Sequence, residues 1–120
     1  GTAAAVGAFA RAVLATFAGD AGLARPGTLR EFIRRVDVPG SSRALGWDTM
    51  LPTSSCGTRM SAAAIGHTGF TGTSLWIDLE RGLYVVLLTN RVFPTRENNH
   101  IRTIRPAFHD AVVEAFDRRA

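Results

Sequence analysis

Histidine, threonine and glycine follow one another at His67-Thr68-Gly69, and this triplet is the most chemically capable pattern in the chain. On a strand edge it would present, in series, a group that can carry positive charge, a hydroxyl and an unobstructed backbone. A carboxylate or an acyl carbonyl could lie along such an edge and accept hydrogen bonds from Thr68 and from backbone N–H groups. Taken alone, the triplet favours a simpler interpretation, two polar side chains in a hairpin that binds no ligand.

Three glycines, Gly66, Gly69 and Gly72, recur every third residue around the triplet, a spacing that fits neither a strand nor a helix. A glycine within a strand pattern usually marks a bulge or a place where another group approaches the backbone closely. The segment from Ala64 to Asp78 is therefore predicted to be one strand, interrupted by glycines, with a polar edge against which a ligand could lie.

The clearest strand signal is the unbroken apolar run that begins at Leu83 and ends at Asn90. A short polar turn over residues 78–82 precedes it, with Gly82 at the position where a positive φ is expected. The centre of the chain is thus predicted to be a hairpin whose first strand carries the triplet.

Two helices are predicted before this hairpin. Residues Ala3 to Thr16 are good helix formers with a recurring apolar face, and Thr2 is the expected N-cap. A second, shorter helix is predicted to begin after Thr28 as its cap and to end at about Val36.

A closing helix is predicted from His100 to about Arg118, capped by Asn99. Pro106 lies within it, so a kink or a break is expected there. His100 and His109, nine residues apart on this helix, are predicted to be surface or cap residues. The apolar face of this helix is expected to consist of Ile101, Ile104, Phe108, Val112 and Phe116.

Residues 39–62 lack a periodic pattern, and only Leu45-Gly46-Trp47 suggests a brief extended element there. The resulting order of helix, short helix, loop, strands and helix predicts an α+β fold. In that fold the N- and C-terminal helices would pack on one face of a small antiparallel sheet. The length suffices for one hydrophobic core, so residues 1–120 are predicted to be a single domain or a fragment.

The chain has a formal net charge of +4, and every basic residue is an arginine. These arginines are spread along the chain, and the densest groups, Arg30/Arg34/Arg35 and Arg102/Arg105, are interpreted as solvated helix faces. A nucleic-acid-binding protein would concentrate its charge on one face, so no nucleic-acid partner is predicted. No stretch approaches the roughly 20 apolar residues of a membrane-spanning helix.

Cys56 is the only cysteine, which excludes an internal disulfide and leaves the compartment open. With His67 and an acid, Asp48 or Asp78, it could form a cysteine–histidine–acid set, but no spacing places these residues together.

Other catalytic groups are less well supported. The three histidines lack the close spacing of metal ligands, so neither a metal site nor a cofactor is predicted. Ser61 and Ser74 have no evident partner that would make either of them a nucleophile.

Residues Ile65 to Thr73, Trp76-Ile77-Asp78 and Val85 to Arg91 together resemble the C-terminal part of serine β-lactamase-like hydrolases. This group includes class C β-lactamases, penicillin-binding proteins and related esterases. In it, a Lys-Thr-Gly or His-Thr-Gly triplet lies on the strand beside the active site. A strand ending in Asp-Pro-Glu follows, here Asp78-Leu79-Glu80, and then one ending in Leu-Thr-Asn. Leu45-Gly46-Trp47 resembles a Gly-Trp segment of the family that approaches the site.

Two motifs of that family are missing from this chain. The nucleophile lies in Ser-x-x-Lys, and the sequence contains no lysine. The second motif is Tyr-x-Asn, but the only tyrosine, Tyr84, is followed by Val85-Val86. The resemblance therefore implies the C-terminal third of a β-lactamase/transpeptidase-like fold, with one wall of an active site and no nucleophile of its own.

The resemblance also implies roles for the triplet and the residues after it. Thr68 would hydrogen-bond a polar group of an acyl substrate, and His67 would supply polarity, or positive charge at low pH. Gly69 would contribute to substrate binding as part of the triplet strand, which would orient the acyl chain, and a backbone N–H of Phe70 or Thr71 would contribute to an oxyanion hole. Histidine in place of lysine leaves less positive charge near neutral pH, which favours an esterase or peptidase-like parent enzyme.

Partners follow from the same resemblance: a small acyl substrate, and either the N-terminal part of the hydrolase or a second copy of the chain. The alternative function is a non-catalytic binding or self-association module derived from this fold. A periplasmic, secreted or cytoplasmic location is equally compatible with the sequence.

Overall fold

The computed structural model describes all 120 residues, and it contains three helices and a four-stranded antiparallel sheet. The α+β prediction is confirmed. No helix combines the length and hydropathy that crossing a membrane requires. The sheet order follows the chain, β1-β2-β3-β4. The elements are α1 (Ala3–Phe17), α2 (Pro26–Ile33), β1 (Asp48–Thr49), β2 (Ala64–Thr68), β3 (Ser74–Asp78), β4 (Leu83–Leu87) and α3 (Ile101–Asp117).

The first helix begins where the sequence predicts. Thr2 has extended backbone angles, and its hydroxyl accepts a hydrogen bond from the Ala5 N–H at 3.2 Å. The second helix begins earlier than predicted, at Pro26, so Thr28 lies inside it and is not its cap. Proline suits the first turn because its fixed φ is helical and its missing N–H would have no helical partner there.

The prediction of one strand over residues 64–78 is wrong, because the chain reverses at Gly69 to Thr73. The Gly69 N–H donates to the Thr73 carbonyl at 2.8 Å, and Gly72 has a φ of +104°, which glycine adopts readily. Thr68 therefore pairs with Ser74, and β2 and β3 form a hairpin of their own. The turn before β4 matches the prediction, with Gly82 at a φ of +62°, although β4 ends at Leu87.

Both faces of the sheet are covered. Successive side chains of β3 point in opposite directions, and Trp76 and Ile77 are both buried. One face packs on α1 and α2, with a core of Ala10, Val13, Leu29, Ile65, Ile77 and Leu79. The other packs on α3 and on the loop between β1 and β2, with a core of Cys56, Met60, Ala64, Trp76, Val85 and Val113. The terminal helices thus lie on opposite faces, not on one, because β3 is apolar on both sides and each side must be buried.

The closing helix follows a different face from the predicted one. Ile101, His109 and Val113 are buried, whereas Ile104 and Phe116 are exposed. His100, not Asn99, is the N-cap residue, and Pro106 lies within the first turns without ending the helix. His109, predicted to be a surface or cap residue, is fully buried because it lies four residues before Val113, on the helix face that packs on the sheet.

The brief extended element predicted at Leu45-Gly46-Trp47 begins three residues later. Gly46 has a φ of +79°, so the chain bends there, and β1 comprises Asp48–Thr49. Trp47 stacks on Phe9 of α1 with ring centroids 6.2 Å apart. Its indole therefore belongs to the α1–α2 side of the molecule.

Candidate functional site

The glycine spacing around the triplet is explained by packing inside the protein. A Cβ at Gly66 would overlap the Trp76 indole and lie 2.6 Å from the Leu75 carbonyl oxygen. A Cβ at Gly69 would meet Thr73 Oγ1, and one at Gly72 would meet Thr89 Oγ1. The close approach predicted from these glycines is therefore made by neighbouring side chains of the chain itself and not by a ligand.

A polar groove of about 410 Å³ lies beside Thr68, between the β2–β3 hairpin, the loop after β1 and the first turns of α3. Trp76 forms part of its wall. A second cavity, of about 150 Å³, adjoins it and shares Thr68, Arg102 and Arg105. The groove is lined by Gly40, Ser42, Asp48, Leu51, Thr53, Ser54, Ser55, Thr68, Trp76, Arg102, Arg105 and Pro106.

Only part of the predicted site faces these cavities. Thr68, Gly69 and Phe70 line one or both of them, whereas His67, Thr71 and Trp47 line neither. Alternation along β2 accounts for the division between His67 and Thr68, since neighbouring strand residues point to opposite faces.

Two arginines that were interpreted as solvated helix surface line the groove. Arg105 Nη2 donates to the Gly69 carbonyl at 2.7 Å and to the Thr73 carbonyl at 3.0 Å. Burial, together with the nearby charge of Arg91, lowers the pKa of Arg105. No carboxylate pairs with Arg102, so its guanidinium is available to an anionic group in the groove.

Arg91, which follows β4 in the chain, also donates hydrogen bonds to carbonyls of the β2–β3 turn. Arg91 Nε donates to the Phe70 carbonyl at 2.8 Å, and the Arg91 N–H donates to the Thr71 carbonyl at 2.9 Å. The N–H groups of Phe70 and Thr71 themselves make no backbone hydrogen bond. These two N–H groups are therefore free to donate, and of the two residues Phe70 lines a cavity and Thr71 does not.

His67 lies against a second arginine that the sequence did not single out. Arg43 Nη1 is 2.7 Å from His67 Nε2, and His67 Nδ1 is 2.9 Å from the Thr68 carbonyl oxygen. Arginine can only donate, so Nε2 must accept and Nδ1 must carry the proton. The positive charge beside the triplet is thus that of Arg43, which also pairs with Asp48 at 3.4 Å.

This arrangement predicts the imidazole tautomer. We expect ¹⁵N spectra at neutral pH to show His67 protonated at Nδ1, and Arg43→Gln to lose this preference because the donor to Nε2 is weakened. His100, which has no side-chain cap role, serves as the internal reference. A native His67 protonated at Nε2 would contradict the assignment.

The cysteine–histidine–acid set is not assembled. Cys56 lies in the core on the α3 side, and burial raises the pKa of its thiol to about 12. His67 is bonded to Arg43, Asp48 to Ser42 and Asp78 to Ser61. A buried, protonated thiol without a base beside it cannot act as a nucleophile at neutral pH.

A serine–histidine pair was missed by sequence reasoning. Ser74 Oγ and His109 Nε2 lie 3.0 Å apart, although nothing in the sequence suggested a partner for Ser74. Both residues are buried, and burial, reinforced by the charge of Arg105, lowers the pKa of His109 to about 4. The pair has the atoms of a catalytic dyad, but because both residues are buried no substrate can reach it. Its hydrogen bond joins α3 to β3.

Comparison with known families identifies the chain. Residues 1–107 match the model of the β-lactamase family, and the chain belongs to that family. No curated protein and no solved structure matches it.

Proposed function

We propose that this chain forms one wall of the active site of a serine hydrolase of the β-lactamase family, which cleaves an ester, an amide or a β-lactam through an acyl-serine intermediate. The observation that carries the proposal is the groove beside Thr68, at the triplet strand of a chain that matches the family over residues 1–107. The nucleophile would come from a Ser-x-x-Lys motif outside this chain, which has no lysine. The chain alone would then be inactive.

Different residues of the groove and of the cavity beside it would bind different parts of the substrate. The Thr68 hydroxyl would donate to a polar group of the substrate, and the free N–H of Phe70, which lines the adjoining cavity, would donate to the developing oxyanion. Arg102 would attract a substrate anion from its place on the groove wall.

The test is acylation by p-nitrophenyl acetate, followed by mass spectrometry. We expect no acetyl adduct on this chain alone, and an adduct at the serine when the chain is extended by the upstream segment of its reading frame that holds Ser-x-x-Lys. Thr68→Val in the extended protein should slow acylation about tenfold, the effect of one lost neutral hydrogen bond. Thr95→Val, at an exposed threonine outside both cavities, is the matched control. Full acylation by the Thr68→Val protein would overturn the assigned role.

A non-catalytic binding or self-association module is the second candidate, and one feature favours it. β4 is an edge strand, and an apolar groove of about 400 Å³ lies beside it between Leu83 and the α3 residues Phe108, Val112 and Phe116. The acylation experiment separates the two candidates, since a non-catalytic module would form no adduct in the extended protein either.

A further inference from the structure

Phe70 stands out among the exposed apolar residues because its ring is held in place. The residue is 68% exposed, yet the Arg91 guanidinium lies 4.4 Å from the ring centroid. The same guanidinium donates to the Phe70 carbonyl at 2.8 Å. One face of the ring is thus occupied by a cation, and the rest of the ring is open to solvent.

The Arg91 guanidinium under the Phe70 ring, and the turn that carries the ring, are themselves held by hydrogen bonds. Arg91 Nη1 donates to the carbonyls of Arg96 at 2.9 Å and Asn98 at 3.1 Å. Arg105 holds the other side of the turn through the Gly69 and Thr73 carbonyls. Most of the ordering that a stacking partner would require has therefore occurred before any ligand arrives, which favours binding.

The ring also stands at the groove. Phe70 lines the 150 Å³ cavity together with Thr68 and Gly69, and that cavity shares Thr68, Arg102 and Arg105 with the larger groove. A substrate whose polar group lies at Thr68 would reach the ring with the next part of its structure. By contrast, Phe93 is 79% exposed but lines neither cavity.

We propose that Phe70 is a specificity-determining residue of this groove and that its open ring face stacks on an aromatic group of the acyl substrate. This inference rests on the proposed function and adds a substrate class to it, esters or amides that carry an aromatic ring near the scissile carbonyl. Stacking on a preorganised ring, together with the apolar area that it covers, should favour such a ligand about tenfold.

The experiment is an NMR titration of the purified chain with two probes, phenylacetate and acetate, which differ only in the aromatic ring. We expect phenylacetate to bind about tenfold more tightly than acetate, with the largest amide shifts from Thr68 to Thr71. Phe70→Ala should abolish this preference, so that phenylacetate binds this variant no more tightly than acetate does. Phe70→Tyr, which keeps the ring, and Phe93→Ala, which removes an even more exposed ring outside the cavities, should both retain this preference.

The outcomes distinguish stacking on the Phe70 ring from binding in the groove. If acetate binds but phenylacetate binds no better, or if Phe70→Ala keeps the preference, the proposed stacking on Phe70 is overturned while the proposed binding role of the groove stands. If neither probe binds the native chain, both the proposed binding role of the groove and the proposed stacking on Phe70 are overturned. Nuclear Overhauser contacts between the Phe70 ring and the probe ring are the direct sign of stacking.

Discussion

Asp78→Asn is expected to lower the free energy of unfolding by about 3 kcal/mol, because it removes the charge of a fully buried carboxylate that pairs with the partly buried Arg81. Asp78 Oδ1 accepts from the Ser61 hydroxyl at 2.6 Å and from the N–H groups of Glu80 and Arg81. Oδ2 accepts from the Ser61 N–H at 2.7 Å and from the Arg81 guanidinium at 3.3 Å. In either orientation the amide of asparagine would direct an NH₂ group at these donors.

The pKa of Asp78 reflects the same contacts. Burial by itself raises it, but the hydrogen bonds from Ser61 and from the Arg81 backbone, with the charge of Arg81, lower it below its ordinary value of 3.8. A carboxylate with a lowered pKa stabilises the fold above pH 3.8, and this contribution is lost only as the pH falls below that value.

Asp117, the second carboxylate that pairs with Arg81, provides a matched control. Asp117 lies 3.4 Å from Arg81 Nε but is 47% exposed, so Asp117→Asn should cost less than about 1 kcal/mol. Urea unfolding of the two variants beside the native chain measures the difference. Equal, small losses for both would show that the Asp78 network does not stabilise the hairpin.

Acidification from pH 6.5 to pH 4 should lower the free energy of unfolding by about 3 kcal/mol through His109 alone. Its folded pKa is about 4 against an ordinary 6.5, because burial, and then the charge of Arg105, disfavours the imidazolium, with Asp110 opposing weakly. Between these values the unfolded chain binds a proton that the folded chain does not, so stability rises with pH. Nδ1 has no hydrogen-bond partner, so its protonation would bury an unpaired charge.

Urea unfolding across this pH range measures the effect. His109→Gln, which keeps a polar group near Ser74, should be less stable at pH 7 but should lose most of the slope between pH 6.5 and pH 4. His100→Gln controls for removal of an exposed histidine at the start of the same helix. If His109→Gln kept the native slope, another group would be responsible for it. The Asp78 effect falls below pH 3.8 and is separated from this one by its pH range.

The sequence by itself determined the features that depend on neighbouring residues. Thr2 caps α1 and Gly82 makes the turn before β4 because an N-cap hydroxyl and a positive φ act over three or four residues. The motif from Ile65 to Arg91 indicated the β-lactamase family, which the family match confirms. Residues 64–78 were misjudged because a glycine-rich strand and a glycine turn have similar local patterns, and pairing decides between them.

Only the tertiary structure decided which residues surround the groove. Arg105 meets Gly69 across 36 residues of sequence, and Arg43 meets His67 across 24. No periodicity in the sequence encodes such contacts. The burial of His109 and the covering of both sheet faces were decided in the same way, by where α3 packs. Local hydrogen bonding and φ preferences can be inferred from adjacent residues, whereas a side chain's partners across the fold depend on how the elements pack.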